Sequence, residues 1–569
     1  MIKKSASLET SRTRAFTRSG GLLLTAGLLL GLPSCSFVVD TNAKQCESNA
    51  DCAGGATCDT AQNLCVIQTV TKECETNQEC INKDPNTICR KSDFTCVPVK
   101  TVECTTVDGD LSRDDAFMFG SVLPLTGPDE IFGKPVELAI QLALSNIRNE
   151  LTGIPTGTAG VNRPLLYIGC DDKSDLTDET QLRAAKHLAE VLEVPAIIGE
   201  AFSGSTIAIA NQVTIKARTL LISPAATSDT ITTLIDECLV WRTSPPDTLQ
   251  AAALKLYVPE VEIQVQDEYD ALLFPANTPV KVAIINNSDS YGAGLANTVA
   301  SDLPTPLIVN GKPLTDPANA SNYSHKQYDE ENTAGQLAIA NEMATKYHPQ
   351  IVMLFGFSEA ISILTTIEKN WTLDDTKFPR PRYVLPDGLL VGELSAAVGT
   401  NEKLRKRITG TIPGTINPQF TAFVGDYNFK WGAKANAFPA TTFGAAGGYD
   451  SVFLLAYATA TLDGKPETGD NLAAGLKQLS NPMGPIINAG AKNIPSGFSA
   501  IRDTGSIDYN GASGPLNFDP KTGEAQSDIQ IWCLPPGQGG TGTGSGINSG
   551  LFYEAVSGKL GGVFTATCK

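Results

Sequence analysis

The sequence predicts an α/β fold built from two doubly wound parallel-sheet lobes, preceded by a small disulfide-rich segment. Three observations carry this reading. From Phe117 onward, short apolar runs alternate with amphipathic stretches, the pattern of a parallel sheet covered by helices on both faces. The prolines of Ser244-Pro245-Pro246 break that alternation, and it restarts at Lys281, so a second lobe begins between them. Ahead of both, eight cysteines crowd residues 46–96.

The chain opens with Lys3, Lys4, Arg12, Arg14 and Arg18, followed by the apolar run Gly21 to Leu32 and by Leu32-Pro33-Ser34-Cys35. Charge, a short apolar segment and small residues in that order predict an export signal over residues 1–34. The run is too short to cross a hydrocarbon core of roughly 30 Å. Leu-Pro-Ser-Cys resembles the bacterial lipobox, which implies lipidation at Cys35 and a membrane anchor. The competing reading is a plain secretory signal with Cys35 in a disulfide. Ser36 stands where Asp would signal inner-membrane retention, so an outer-membrane address is preferred. The net charge of -18 argues against nucleic acid as a partner, because phosphate binding needs basic stripes.

Cys46, Cys52, Cys58 and Cys65 are followed by Cys74, Cys80, Cys89 and Cys96, a duplicated unit, and Cys104 resembles the start of a truncated third. An exported segment this short cannot bury enough apolar surface alone, so the eight are expected to form disulfides in two stapled knobs, with connectivity open. Zinc is the competing reading, but the cysteines lack the tight pairs that zinc sites favour, and no metal or other cofactor is expected. Such knobs suit a stalk between membrane and main domain, or a docking element. Of the remaining cysteines, Cys533 with Cys568 would close the C-terminal tail. Cys170 with Cys238 is the weaker pairing, and Cys104 is left over.

The first lobe is read in order. Phe117 to Pro124 is a strand, and Gly133 to Arg148 a helix with Val136, Ile140, Ala143 and Ile147 on one face. Leu165 to Gly169 is a strand, Asp178 to Glu193 a helix, and Ala196 to Gly199 a strand. In the second lobe, Lys281 to Asn286, Ile351 to Phe355 and Tyr383 to Leu385 are strands, Gly292 opens a helix, and Glu342 to Tyr347 ends another. Tyr257 to Pro279 carries no recognisable chemistry. Gly537 to Gly550, rich in Gly, Ser and Thr, is a loop.

Three loops follow apolar strands, where α/β sheets place their ligands: Phe202-Ser203-Gly204-Ser205-Thr206, Ile222-Ser223-Pro224-Ala225-Ala226-Thr227 and Pro386-Asp387-Gly388. With the turn at Tyr291-Gly292, they resemble the ligand-gripping loops of type 1 periplasmic binding proteins of the leucine/isoleucine/valine-binding kind. The likeness spans about Phe117 to Asp519. It implies a three-crossing hinge near Ser244, Ile408 to Pro418 and Ser527, and therefore lobe one as 113–244 with 417–525 and lobe two as 245–416 with 526–569, after an anchor and stalk at 35–112. It implies that Ser203 and Thr227 hold a carboxylate, that Ala225 and Ala226 supply backbone groups, and that Asp387 pairs with an ammonium. Tyr291 would cover the ligand backbone, while Phe132 and Phe357 wall an apolar side chain. A disulfide usual beside the Ser-rich loop is lost, because Phe202 stands there. Taken singly, Ser203 and Thr227 are ordinary helix caps and Asp387 an ordinary turn residue.

The implied function is capture of a small ligand, an amino acid of branched-chain type, by hinge closure, for delivery to an ABC permease. The alternative is a sensor or envelope docking lipoprotein of the same fold. Catalysis is the weakest reading. Gly356-Phe357-Ser358-Glu359-Ala360 is close to a nucleophile elbow, but Ala360 replaces its last glycine, and His187, His325 and His348 all precede Ser358.

Overall fold

A computed structural model describes residues 46–52, 57–66, 72–156, 158, 160–174, 179–414, 417–536 and 546–568. The expected signal segment, Cys35 and most of the loop Gly537 to Gly550 lie outside these residues. Residues 1–71 form one unit and residues 72–569 another. Among the described residues, no helix is long and apolar enough to cross a membrane.

In the first unit, strand Thr57–Asp59 pairs antiparallel with Leu64–Val66, and Cys46–Cys58 and Cys52–Cys65 are bonded. The second unit opens with the repeat of this module. A short helix, Asn77–Ile81, precedes the hairpin of Thr87–Arg90 and Thr95–Pro98, with Cys74–Cys89 and Cys80–Cys96 bonded. Each module joins its first cysteine to its third and its second to its fourth, the choice that the sequence left open. Sulfur substitutes for a core here: Cys74, Cys80 and Cys89 are themselves the buried cluster.

The rest of the second unit carries two eight-stranded sheets. In chain order the strands are β1 (Cys104–Asp108), β2 (Phe117–Leu123), β3 (Leu165–Asp171), β4 (Ala196–Gly199), β5 (Leu220–Ser223) and β6 (Val240–Arg242) of lobe one. The chain then enters lobe two with β7 (Val282–Asn287), β8 (Tyr323–Tyr328), β9 (Ile351–Phe355), β10 (Arg382–Leu385) and β11 (Ile408–Pro413). It returns to lobe one for β12 (Phe518–Asp519) and β13 (Glu524–Ala525), and ends in lobe two with β14 (Ile529–Cys533), β15 (Ile547–Glu554) and β16 (Lys559–Gly562). Spatial order is β12-β13-β6-β5-β4-β2-β3-β1 in lobe one and β8-β7-β9-β10-β11-β14-β15-β16 in lobe two. Three chain passages therefore join the lobes. The last is fastened by a buried ion pair, since Arg242 on β6 meets Glu524 on its register partner β13.

Central strands such as β4, β5 and β9 are buried along their whole length, as parallel strands covered on both faces must be. In lobe one, the helix α1 (Glu130–Leu151) lies against a late-returning helix, Ala445–Ala460, in one apolar cluster. Asp450 inside that cluster accepts from Tyr509, Ala512 and Ser513. These donors hold its charge against burial, which lifts its pKa to about 6.

The expectation that Cys170 pairs with Cys238 and leaves Cys104 over is corrected. Cys104 is bonded to Cys170, and Cys238 is a free thiol. The reason is register: β1, placed by sequence in the stalk, adds antiparallel to the edge of the lobe-one sheet and sets Cys104 opposite Cys170 on β3. The bond Cys533–Cys568 forms as expected. The stretch Tyr257 to Pro279, read as without chemistry, mostly continues one long helix, Asp247–Ala271. Non-reducing peptide mapping is expected to recover Cys104 linked to Cys170 and an alkylatable Cys238; a peptide linking Cys170 to Cys238 would refute the assignment.

Candidate functional site

Parallel strands end at one edge of their sheet, so the loops after β2, β4 and β5 in lobe one face those after β7, β9 and β10 in lobe two. Between them lies a narrow cleft with a cavity volume of about 30 Å³. Every residue expected to bind lines it except one: Phe132, Ser203, Ala225, Thr227, Tyr291, Phe357 and Asp387 converge there. Ala226 does not. Its N–H donates to the Ser223 hydroxyl at 3.0 Å and its carbonyl accepts from Ser244 at 2.8 Å, so its polar groups are consumed inside lobe one.

The lobe-one loops are tied by hydroxyls. Ser223 donates to the Glu200 carbonyl at 2.6 Å. Ser203, the first residue of the helix Ser203–Ile209, accepts from the Ser228 N–H at 3.2 Å, joining the loops after β4 and β5. Helix Ala445–Ala460 presses on the same region: a Cβ at Gly447 would sit 2.3 Å from the Thr243 hydroxyl and 2.5 Å from the Pro224 carbonyl. In lobe two, a Cβ at Gly388 would sit 2.7 Å from the Gly356 carbonyl, so the loop of Asp387 lies directly on that of Phe357.

Phe357 is the hub of an aromatic cage. Its ring stands edge-on to Phe202 at 4.9 Å and to Phe132 at 5.8 Å, and stacks on Tyr291 at 5.0 Å. Phe132 and Phe202 are themselves 5.6 Å apart. The contacts of Phe357 with Phe132 and Phe202 cross between lobes, as do the hydrogen bonds from Ser228 to the Ser290 carbonyl and from Thr298 to Asp229, both 2.9 Å. Phe202 and Phe443 were not expected as walls. Phe202 was noted as the start of the Ser203 loop and as a lost cysteine position, and Phe443 carried no signal beyond standing before an apolar helix.

Asp387 is buried at the cleft. Its Oδ1 accepts from Gln250 Nε2 at 2.7 Å and from the Tyr291 hydroxyl at 2.8 Å. Burial raises its pKa, against these hydrogen bonds. Beside it lies Asp247, fully buried and also missed from sequence. Burial, then repulsion from Asp387 and Asp229, pushes its pKa well above the carboxylate range. Neither of its oxygens has a hydrogen-bond partner of normal geometry, nor has Gln250 Oε1. The signal that could have found this pair is Pro246-Asp247, a helix-opening acid at the first crossing.

A second acidic pair lies behind Phe202. Glu200 Oε2 accepts from the N–H groups of Ala201 at 2.8 Å and Phe202 at 3.1 Å. Burial and the adjacent Asp172 keep its carboxyl protonated, so that it donates to Asp172. The histidines serve elsewhere: His187 meets the Val99 carbonyl, His325 Asn286 and His348 Thr372. Ser358 has no histidine partner. The arrangement suits holding a cation at Asp387 with an apolar group among the rings.

No protein-family model matches the chain, and no curated protein matches it in sequence. Solved structures do match in shape. A branched-chain amino acid transporter substrate-binding protein of Streptococcus pneumoniae, LivJ, in complex with isoleucine is 18% identical, at a TM-score of 0.51, over 75% of this chain and 97% of that one. A type 1 periplasmic binding protein of Bordetella pertussis is 16% identical, at 0.51, over 74% and 97%. A solute-binding protein of an ABC transporter from Rhodopseudomonas palustris, in complex with benzoate, is 15% identical, at 0.50, over 76% and 95%. The chain has the type 1 periplasmic-binding-protein fold.

The buried Glu200 predicts a pH dependence of stability. Its folded pKa exceeds its unfolded one, so the folded state binds the extra proton, and stability falls as pH rises through that window. Thermal unfolding between pH 5 and pH 8 is expected to show a falling Tm in the native chain and a flatter profile in Glu200→Gln, which keeps both backbone hydrogen bonds. An unchanged slope in the variant would remove Glu200 from the cause.

Proposed function

We propose that the protein is an exported, lipid-anchored solute-binding protein. It captures a small amine-bearing ligand of amino-acid type, with a branched-chain or other apolar side chain, by closure of the two lobes for delivery to an ABC permease. The observation that carries this reading is Asp387, a buried carboxylate held by Gln250 and Tyr291 at a cleft walled by aromatic rings. Burying a carboxylate without a cation is costly, and an ammonium removes that cost. The rings offer the matching surface for an apolar side chain. Isoleucine in the similarly folded pneumococcal protein supports the same ligand class. The signal segment, with Cys35 after it, supports export and anchoring, with the outer membrane preferred.

Closure follows from the cleft's two-sided lining. A ligand seated against Ser203 and Thr227 in lobe one draws Asp387 and Tyr291 of lobe two onto it. The closed form is favoured only by the difference in affinity between the two states. Export and fold leave transport and sensing on the same footing, and the permease is what makes the protein a transport component.

Thermal unfolding against a panel of amino acids and their amine derivatives tests the site. A ligand at one hundred times its Kd stabilises by about 2.7 kcal/mol, and the shift is expected with apolar members. Asp387→Ala is expected to weaken capture by about 2–5 kcal/mol, the range for truncating one partner of a buried charge pair. Because burial raises the Asp387 pKa, capture should also weaken as pH falls. No shift with any member, or a shift that Asp387→Ala leaves intact, would overturn the reading.

A further inference from the structure

The boundary between the lobes is built unevenly. Beyond β5 the lobes are joined by hydrogen bonds, from Ser228 to the Ser290 carbonyl and from Thr298 to Asp229. Beyond β2 and β3, which β4 separates from β5 in the sheet, carboxylates of both lobes gather beside the seam where Phe132 meets Phe357. Asp129 directly precedes α1 and stands one helical turn before Phe132, and its carboxylate caps no helix N–H. Glu359 stands two residues after Phe357 and takes the Phe357 N–H on both oxygens at 3.1 Å. The two acids therefore border a pair of rings whose centroids are 5.8 Å apart across the boundary.

The other members are fixed within their own lobes. In lobe one, the Ser174 N–H donates to Asp172 at 2.8 Å and the Ser174 hydroxyl accepts the Asp129 N–H at 3.2 Å, so one turn holds both acids. Glu200 donates to Asp172 from behind. In lobe two, Glu359 also accepts from Tyr328 at 2.7 Å, Glu330 from Asn287 at 3.0 Å and Asp289 from the Gly292 N–H at 2.7 Å. Among the described residues no base offsets Asp129, because the charges acting on it are those of Glu330, Asp172 and Glu359. Lys134 on α1 is paired with Glu137 at 3.4 Å and Lys326 on β8 with Glu342 at 3.0 Å. Lys173, beside Asp172, does not act on Asp129.

Closure concentrates this charge. Burial first, then repulsion from Glu330, Asp172 and Glu359, lifts Asp129 to about 7. Two of those three acids belong to lobe two and reach Asp129 only with the lobes together. Burial pushes up Glu359 and Asp289 as well, so the group as a whole gains proton affinity. With the lobes apart, Asp129 faces water and moves back toward the ordinary carboxylate range. The closed form then holds a proton that the open form releases, which favours closure below about pH 7 and opposes it above.

Resting on the reading that capture proceeds by lobe closure, we propose that the acidic flank makes closure proton-coupled: the lobes close on a ligand with uptake of a proton by the cluster of Asp129, Glu330 and Glu359, and free the ligand as that proton leaves. Asp129 is the residue through which lobe one meets the acids of lobe two. Asp387 is not among the charges acting on Asp129, so ligand charge and closure are governed by separate carboxylates.

Calorimetric titration of the full chain with leucine at pH 6 and pH 8, in native and Asp129→Asn forms, isolates the coupling, because any titration of Asp387 is common to both and cancels in their ratio. The variant is expected to bind more tightly than the native chain, a gain that loss of fold cannot mimic. Its advantage is expected to shrink about tenfold from pH 8 to pH 6, the factor that a group titrating near 7 contributes over that interval. An advantage equal at both pH values, or none at either, would overturn the proposal and leave the ammonium reading standing. Leucine binding to neither form would count against the amino-acid reading, and small-angle scattering without ligand then decides the coupling. The native radius of gyration is expected to fall from pH 8 to pH 6, with Asp129→Asn at the lower value throughout; a native radius that does not change with pH would overturn proton-coupled closure.

Discussion

Parallel pairing of the inner strands is the constraint on which the rest depends. A strand that must pair in parallel has to return through a crossover, so its C-terminal loop opens at the same edge as its neighbour's. β2, β4, β5 and β6 obey this in lobe one, and β7, β9, β10 and β11 in lobe two. Loops as far apart in sequence as Ser203 and Asp387 therefore meet. The antiparallel strands stand toward the sheet edges, β1 and β12 in lobe one and β14 to β16 in lobe two, and disulfides fasten two of them, Cys104–Cys170 at β1 and Cys533–Cys568 at β14.

Within that frame, the cleft combines two physical demands. Aromatic rings exclude water and supply apolar surface on both sides, so the lobes adhere through Phe132, Phe202 and Phe357. The same exclusion makes every carboxylate beneath them costly. Glu200 meets the cost by keeping its proton and donating to Asp172, and Asp387 by accepting from Gln250 and Tyr291. Burial and repulsion from Asp387 and Asp229 likewise push the Asp247 carboxyl well above the usual carboxylate range, so it too keeps its proton.

The cysteine modules follow another logic. Too short to bury a core, each replaces apolar contacts by crossed disulfides. The second module also lends Ile88, Val97 and Val99 to the apolar cluster of lobe one, with His187 held by the Val99 carbonyl. The chain after it enters the sheet directly as β1, so the last part of the expected stalk is structurally part of the lobe.

The alternation of buried strand and covering helix was legible in the sequence because it is local: Ala196–Gly199 and Ile351–Phe355 are continuous apolar runs, and their loops follow at fixed distance. The loops around Ser203, Thr227, Tyr291 and Asp387 were legible for the same reason, through their order along the chain. What only the tertiary structure decided was which distant side chains share a boundary. The Cys104–Cys170 bond comes from the register of an edge strand. Phe443 becomes a wall where a late helix begins and Phe202 where its loop meets Phe357 of lobe two, and Asp387 gains an acidic neighbour because helix Asp247–Ala271 begins beside it. Strand periodicity is written in neighbouring residues, whereas burial and charge pairing arise between residues hundreds of positions apart, so sequence alone determined the scaffold and its loops, and the fold determined the chemistry they enclose.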